Sequence, residues 1–169
     1  MNAQPVPAFE VLMEHEGGYA SQDNNRGPVN FGVTQLTLDG IRTRGGEWQK
    51  LPADVKDLTR DQVFGIFRDC YWFPSGAWRI SDQRLATAYS NMFYNAWTAA
   101  TKALQRAVGV QPDAKFGPVT AKAVNAMKPE EALAAFKREM LNYYEVLALG
   151  DPALYADDLR GWKKRLEGL

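Results

Sequence analysis

Glu16 is the residue whose surroundings most suggest chemistry. It lies in His15-Glu16-Gly17-Gly18-Tyr19, which is followed by Asp23 and then by Asn30-Phe31-Gly32-Val33-Thr34. Phe9, Leu12 and Met13 form an i, i+3, i+4 apolar stripe just upstream, so the spacing predicts a short helix over 6–16 with Glu16 at its C-terminal end. The helix dipole is negative there and disfavours a carboxylate. Partial burial against Phe9, Met13 or Tyr19 would push the same way. A carboxyl that tends to keep its proton is what a general acid needs near neutral pH. Gly17-Gly18 would let the chain turn sharply and a large substrate approach the backbone. Position alone favours the plainer reading, an exposed Glu ahead of a glycine cap.

The elements that must carry this segment read as helices. Thr34 to about Arg44 is a second helix closed by Gly45-Gly46. Thr59-Arg-Asp-Gln62 is a capping box opening a helix through Tyr71, with Val63, Phe64, Phe67 and Tyr71 inward. Ser81 or Asp82 caps a long apolar helix from Leu85 to Ala96, and Thr101 to Val108 continues helically to Gly109. Helices follow over 118–127, from Pro129 to Leu149, and over a last short segment carrying Tyr155, Leu159, Trp162 and Leu166. Alternation of period two is weak everywhere, so the class is mainly α, with at most a minor hairpin near 17–33. Pro, Gly and Ser gather over 72–84, which places a boundary between regions 1–84 and 85–169.

The order of short motifs resembles the N-acetylmuramidases of glycoside hydrolase family 108, lysozyme-like proteins of which many are phage endolysins. Glu16-Gly-Gly-Tyr19, a polar loop and Asn30-Phe-Gly-Val-Thr34 open the likeness. Asp69-Cys-Tyr71-Trp72 resembles that family's Tyr-Trp element. Met92-Phe-Tyr-Asn95, Ala103-Leu-Gln105-Arg-Ala-Val-Gly109 and Asp113-Ala-Lys-Phe-Gly117-Pro-Val-Thr120 resemble its C-terminal peptidoglycan-binding region, and Gly161-Trp162-Lys-Lys-Arg165 its closing Gly-Trp-x-x-Arg element. The resemblance implies a lysozyme-like helical domain, a small helical peptidoglycan-binding subdomain packed against it, and Glu16 as the acid. The bond cut would be the β-1,4 link between N-acetylmuramic acid and N-acetylglucosamine. Glycosidases usually need a second carboxylate, and Asp23 is the nearest. The loop departs from the family here: Asn24 or Asn25 stands at the acidic place and Val29 at a Thr.

Around Glu16 and Asp23, the expected substrate-binding residues are Tyr19, Asn30, Thr34, Tyr71, Trp72 and Asn95. All but Asn30 have a plainer alternative. Thr34 also reads as a helix N-cap, Tyr19 as a staple on the helix, and Tyr71 and Trp72 as core aromatics. Asn95 could instead bridge helices. His15, one residue from Glu16 on a helix, points about 100° away and reads as a surface or capping residue. The rivals to a muramidase are a non-catalytic peptidoglycan binder of the same fold, a lytic transglycosylase and, more remotely, an amidase.

Composition excludes more than it proposes. The 169 residues hold 20 Lys+Arg, 20 Asp+Glu, one His and one Cys. One Cys permits no intramolecular disulfide and no CxxC zinc site, and one His permits no His-rich catalytic zinc. Neither a metal nor another cofactor is expected. Zero net charge argues against nucleic acid as partner, and no run approaches the ~18 apolar residues of a membrane span. The expected partner is the glycan strand of peptidoglycan, met by a monomer. The N-terminus has no ordinary signal peptide. The expectation is therefore a phage or prophage endolysin made in the bacterial cytoplasm, reaching the wall after the membrane is permeabilised.

Overall fold

The computed structural model describes residues 2–21 and 27–168, without the side chains of Ala153, Leu154, Ala156 and Asp157. Helices dominate it, as the periodicity requires. α1 (Pro5–His15) leads to a two-stranded antiparallel hairpin, β1 (Val29–Asn30) and β2 (Val33–Thr34), with Asn30 opposite Val33. Ala20 bridges to Val29 on the other side of β1, so the minor sheet lies where the alternation allowed one. α2 (Gln35–Arg42) follows directly, and α3 (Arg60–Phe67) runs into a π-helical turn, Arg68–Trp72, and the short α4 (Phe73–Ser75). α5 (Gln83–Ala107), α6 (Pro118–Ala126), α7 (Pro129–Gly150) and α8 (Pro152–Gly168) complete the chain.

The caps form as the side chains dictate. Thr59 accepts from the Gln62 N–H while the Gln62 side chain accepts from the Thr59 N–H, a complete capping box. Of the two candidates before α5, Asp82 is the cap; its carboxylate accepts from the Leu85 N–H at 2.8 Å. The π turn inserts an extra residue per turn after Phe67 and buries Cys70, Tyr71 and Trp72 in succession.

α5 is the spine. Leu85, Ala88, Tyr89, Met92 and Phe93 are buried along it, with α1 and α7 packed against it. α5 begins at Gln83, so it runs unbroken through the expected boundary at 84/85. Its one interruption is at Trp97, where φ is 41° and ψ −115°.

Downstream, the buried Gln105 organises the 109–117 loop. Its amide donates to Asp113, to the Lys115 carbonyl and to Thr120, and its oxygen accepts from the Ala114 N–H. Phe116 packs on Tyr89 with ring centroids 5.6 Å apart. Gln105, Phe116 and Thr120 thus serve packing, joining this loop to the spine.

Candidate active site

Glu16 caps the C-terminus of α1. Its N–H donates to the Leu12 carbonyl at 3.0 Å, and its backbone has left the helix (φ −89°, ψ 132°). The side chain turns inward and is 13% exposed. Oε1 accepts from Nη1 of Arg165 on α8 at 2.8 Å, and the Arg165 side chain is 18% exposed. The exposed-cap alternative therefore does not describe Glu16. Neither does the helix end alone, because a guanidinium now faces the carboxylate and opposes the helix field behind it.

The other oxygen, Oε2, lies over Gly32. A Cβ built on Gly32 would stand 2.7 Å from Oε2, 2.9 Å from Cδ and 3.0 Å from Cε1 of Tyr94. Only glycine fits under this carboxylate. The turn demands it as well, since Phe31 (φ 50°) and Gly32 (φ 75°) form a two-residue loop with both residues left-handed, the geometry that matches strand twist. Phe31 lacks the freedom of glycine, and its left-handed backbone is local strain. Tyr94 braces it: the Tyr94 hydroxyl donates to the Phe31 carbonyl at 3.3 Å.

Gly17 and Gly18 differ from Gly32. Neither has positive φ, and among the described residues a Cβ on either would meet nothing within 4 Å. Packing among the described residues does not require these two glycines. Tyr19 follows and is 50% exposed, in keeping with a groove wall.

The remaining expected residues divide. Asn30 is buried, and its amide reaches the carbonyls of Val55, Lys56 and Leu58 at 3.1–3.4 Å. It ties the hairpin to the 55–58 turn. Thr34 is the N-cap of α2; its hydroxyl accepts from the Thr37 N–H and meets the Thr37 hydroxyl at 2.9 Å. Trp72 is 0% exposed and packs near Phe67, so in this structure it presents no face to a sugar. Its neighbour Tyr71 is also buried but leads outward, with its ring 4.5 Å from Tyr94 and 5.2 Å from Trp97. Asn95 is exposed, with its amide donating to the Asn91 carbonyl one turn back. Asp23, with Asn24 and Asn25, lies outside the described residues. His15 is half-buried in the last turn of α1, and Cys70 is buried, with Sγ 3.1 Å from Arg44.

Burial pushes the Tyr71 phenol up to about 12, with Cys70 adding and Arg44 opposing. Tyr94 goes well above its ordinary value, first from burial, then from Tyr71 and Glu16, with Arg165 opposing. Both remain neutral hydroxyls around pH 7 and do not act as ionised bases.

Trp97 is the residue that sequence reasoning missed. It is 48% exposed, stands at the break in α5, and contacts Phe93 as well as Tyr71. A large aromatic held in a left-handed conformation at the surface marks a place where structure has been spent on exposure. The rings Trp97, Tyr71 and Tyr94 form a continuous row from the surface to the hairpin beside Glu16. The signal was present in the sequence, since Trp97 falls between the end of one helical pattern at Ala96 and the start of the next at Thr101.

Two hollows flank the ion pair. One, of about 250 Å³, is lined by Glu10, Met13, Glu14, Glu16, Phe31 and Arg60. The other, of about 780 Å³, lies between the end of α1 and α8, with Glu14, His15, Trp162 and Arg165 on its walls. Among the described residues no three His, Cys, Asp or Glu side chains gather as a metal site would need.

The Glycosyl hydrolase 108 family model matches residues 9–97, more than half of the chain, from within α1 to the Trp97 break. The chain belongs to glycosyl hydrolase family 108. A second family model, described as a predicted peptidoglycan domain, matches residues 99–167. This member of family 108 is thus a peptidoglycan-active, glycosyl-hydrolase-like protein with a peptidoglycan-binding region, and peptidoglycan is its partner. The structure is similar to that of Brucella abortus SagA, with a TM-score of 0.74 and 23% identity over 97% of this chain and 94% of that one. That likeness supports the mainly α, lysozyme-like fold. No curated protein matches the chain. The two family models meet at the Trp97 break within α5.

Proposed function

We propose that this family 108 protein is an N-acetylmuramidase, hydrolysing the β-1,4 bond between N-acetylmuramic acid and N-acetylglucosamine with Glu16 as general acid. One observation carries the reading. The only carboxylate of the Glu-Gly-Gly-Tyr segment turns inward at a helix end and is held over Gly32 beside open glycine backbone, in a chain whose matching family hydrolyses glycosides. Glu16 protonates the leaving glycosidic oxygen. Asp23 supplies the second carboxylate, as nucleophile or as base for a water. Tyr19 borders the cleft, Tyr71 and Trp97 carry sugar rings outward, and Asn95 sits on the same rim. The part of the chain before the Trp97 break cleaves, and the part after it binds the wall and braces the spine. The protein acts as a monomer, as a phage or prophage endolysin that is made in the cytoplasm and reaches the wall once the membrane is permeabilised.

A second reading is a peptidoglycan binder that keeps the fold without cleaving. It draws on the ion pair, since Oε1 of Glu16 is already occupied by Arg165. Dye release from labelled sacculi separates the two. The muramidase reading expects soluble fragments from the wild-type protein, whereas binding without release supports the second. In the same assay Asp23→Asn is expected to slow release on the order of 100-fold, and a wild-type rate would remove Asp23 from the mechanism.

A further inference from the structure

Arg165 belongs to the region matched by the peptidoglycan-domain model, 149 residues from Glu16, yet its guanidinium is the hydrogen-bond donor to Oε1. This is the least exposed ion pair among the described residues. Four features fix its position. Trp162, one turn before Arg165, stacks on Tyr144 of α7 with centroids 4.5 Å apart and planes 23° apart. The Tyr144 hydroxyl contacts Sδ of Met92 on the spine at 3.3 Å. Leu166, the next residue, is buried in the core, and Lys163 pairs with Glu145 on α7 at 3.0 Å. α8 is therefore locked in rotation and height against α7, with Arg165 directed at the end of α1.

A carboxylate on a flexible Glu side chain has several rotamers. Here one oxygen is tied to a cation held by a packed helix, and Gly32 and Tyr94 lie under the other side. Among the described residues Oε2 has no hydrogen-bond donor, so with Oε1 engaged it is the oxygen left to meet a substrate. We propose that Arg165 is a positioning residue of the hydrolase site, and that α8 thereby completes the geometry of the acid. The proposal rests on Glu16 being the acid. It makes the C-terminal region part of the catalytic unit as well as a wall-binding attachment.

The test measures kcat and KM on soluble glycan oligomers cut from sacculi, alongside co-sedimentation with intact sacculi. Arg165→Gln is expected to lower kcat on the order of 100-fold, the scale of a misplaced catalytic group, with KM and sacculus binding within about 2-fold of wild type. Guanidinium at sub-denaturing concentration is expected to restore part of the rate to Arg165→Ala. Arg165→Lys keeps the charge and the fold but replaces a planar fork with a mobile ammonium, and is expected to lose on the order of 10-fold in kcat. A folded Arg165→Gln protein with kcat equal to or above wild type overturns the proposal, as does an unchanged kcat in Arg165→Lys should the Gln variant not fold. A Glu16→Gln protein measured in parallel separates the causes. If it is active, the acid assignment fails and the proposal with it. If it is inactive beside an Arg165→Gln protein of normal kcat, the proposal alone fails.

Discussion

Glu16→Gln is expected to reduce release of sacculus fragments by 10³-fold or more, at the upper part of the range for loss of a general acid, about 10²–10⁴. The substitution is nearly isosteric. The amide oxygen can still accept from Arg165 at the place of Oε1, so the contact between α1 and α8 survives while the transferable proton is lost. What changes is the charge facing the guanidinium in a largely enclosed pocket. The stability cost should be about 1–3 kcal/mol, as for a weakened charged hydrogen bond, which a thermal melt will register as a modest fall in Tm. Sacculus binding should persist, because the 99–167 region is untouched. Loss of cleavage with retained binding is the signature of the acid; loss of both would point to collapse of the site.

Gly32→Ala is the second large effect, and it reaches the same carboxylate from the opposite side. The added methyl would lie 2.7 Å from Oε2 of Glu16 and 3.0 Å from a Tyr94 ring carbon, at a φ of 75° that alanine disfavours. Backbone strain of this kind costs about 1–3 kcal/mol. The clash can be relieved only by moving Glu16 or the hairpin, because Tyr94 is buried. The expected result is a fall in Tm of several degrees together with a fall in kcat on the order of 100-fold, since displacement of a reacting group by about 1 Å has that scale of effect. Gly17→Ala is the control. Among the described residues its Cβ meets nothing, and its φ is not positive, so its stability should stay near wild type, and any loss of rate would report on the approach of substrate to that backbone. Wild-type kcat in Gly32→Ala would mean that the position of Glu16 over the hairpin is not critical to the reaction.

Local features were legible in the sequence where the physics is local. The Phe9, Leu12, Met13 stripe placed Glu16 at a helix end, the Thr59–Gln62 box formed as written, and the polar stretch before Val33 made room for a hairpin. Thr34 took its capping role for the same reason: the acceptor and the N–H it satisfies are three residues apart. Residues whose role depends on distant neighbours were not legible. Asn30 looks like a polar loop residue until the carbonyls of 55–58 surround it. Tyr71 and Trp72 are adjacent aromatics with equal claims on a sugar, and the π turn buries both, leaving only Tyr71 in contact with the exposed Trp97. Arg165 could not be paired with Glu16 from sequence, because nothing in a Gly-Trp-x-x-Arg segment says which carboxylate lies across the fold. For Trp97 the pause in the apolar pattern between Ala96 and Thr101 marks the place, but the break itself is a backbone event that side-chain periodicity does not display.

The central claim is that the chain hydrolyses the muramic acid–glucosamine bond by acid catalysis, and mass spectrometry of the fragments released from purified sacculi tests it most directly. The account predicts disaccharide-peptide products with a reducing-end N-acetylmuramic acid, formed by wild type and absent with Glu16→Gln. Products ending in 1,6-anhydromuramic acid, free stem peptides without glycan cleavage, or no fragments from a protein that binds sacculi would each contradict it.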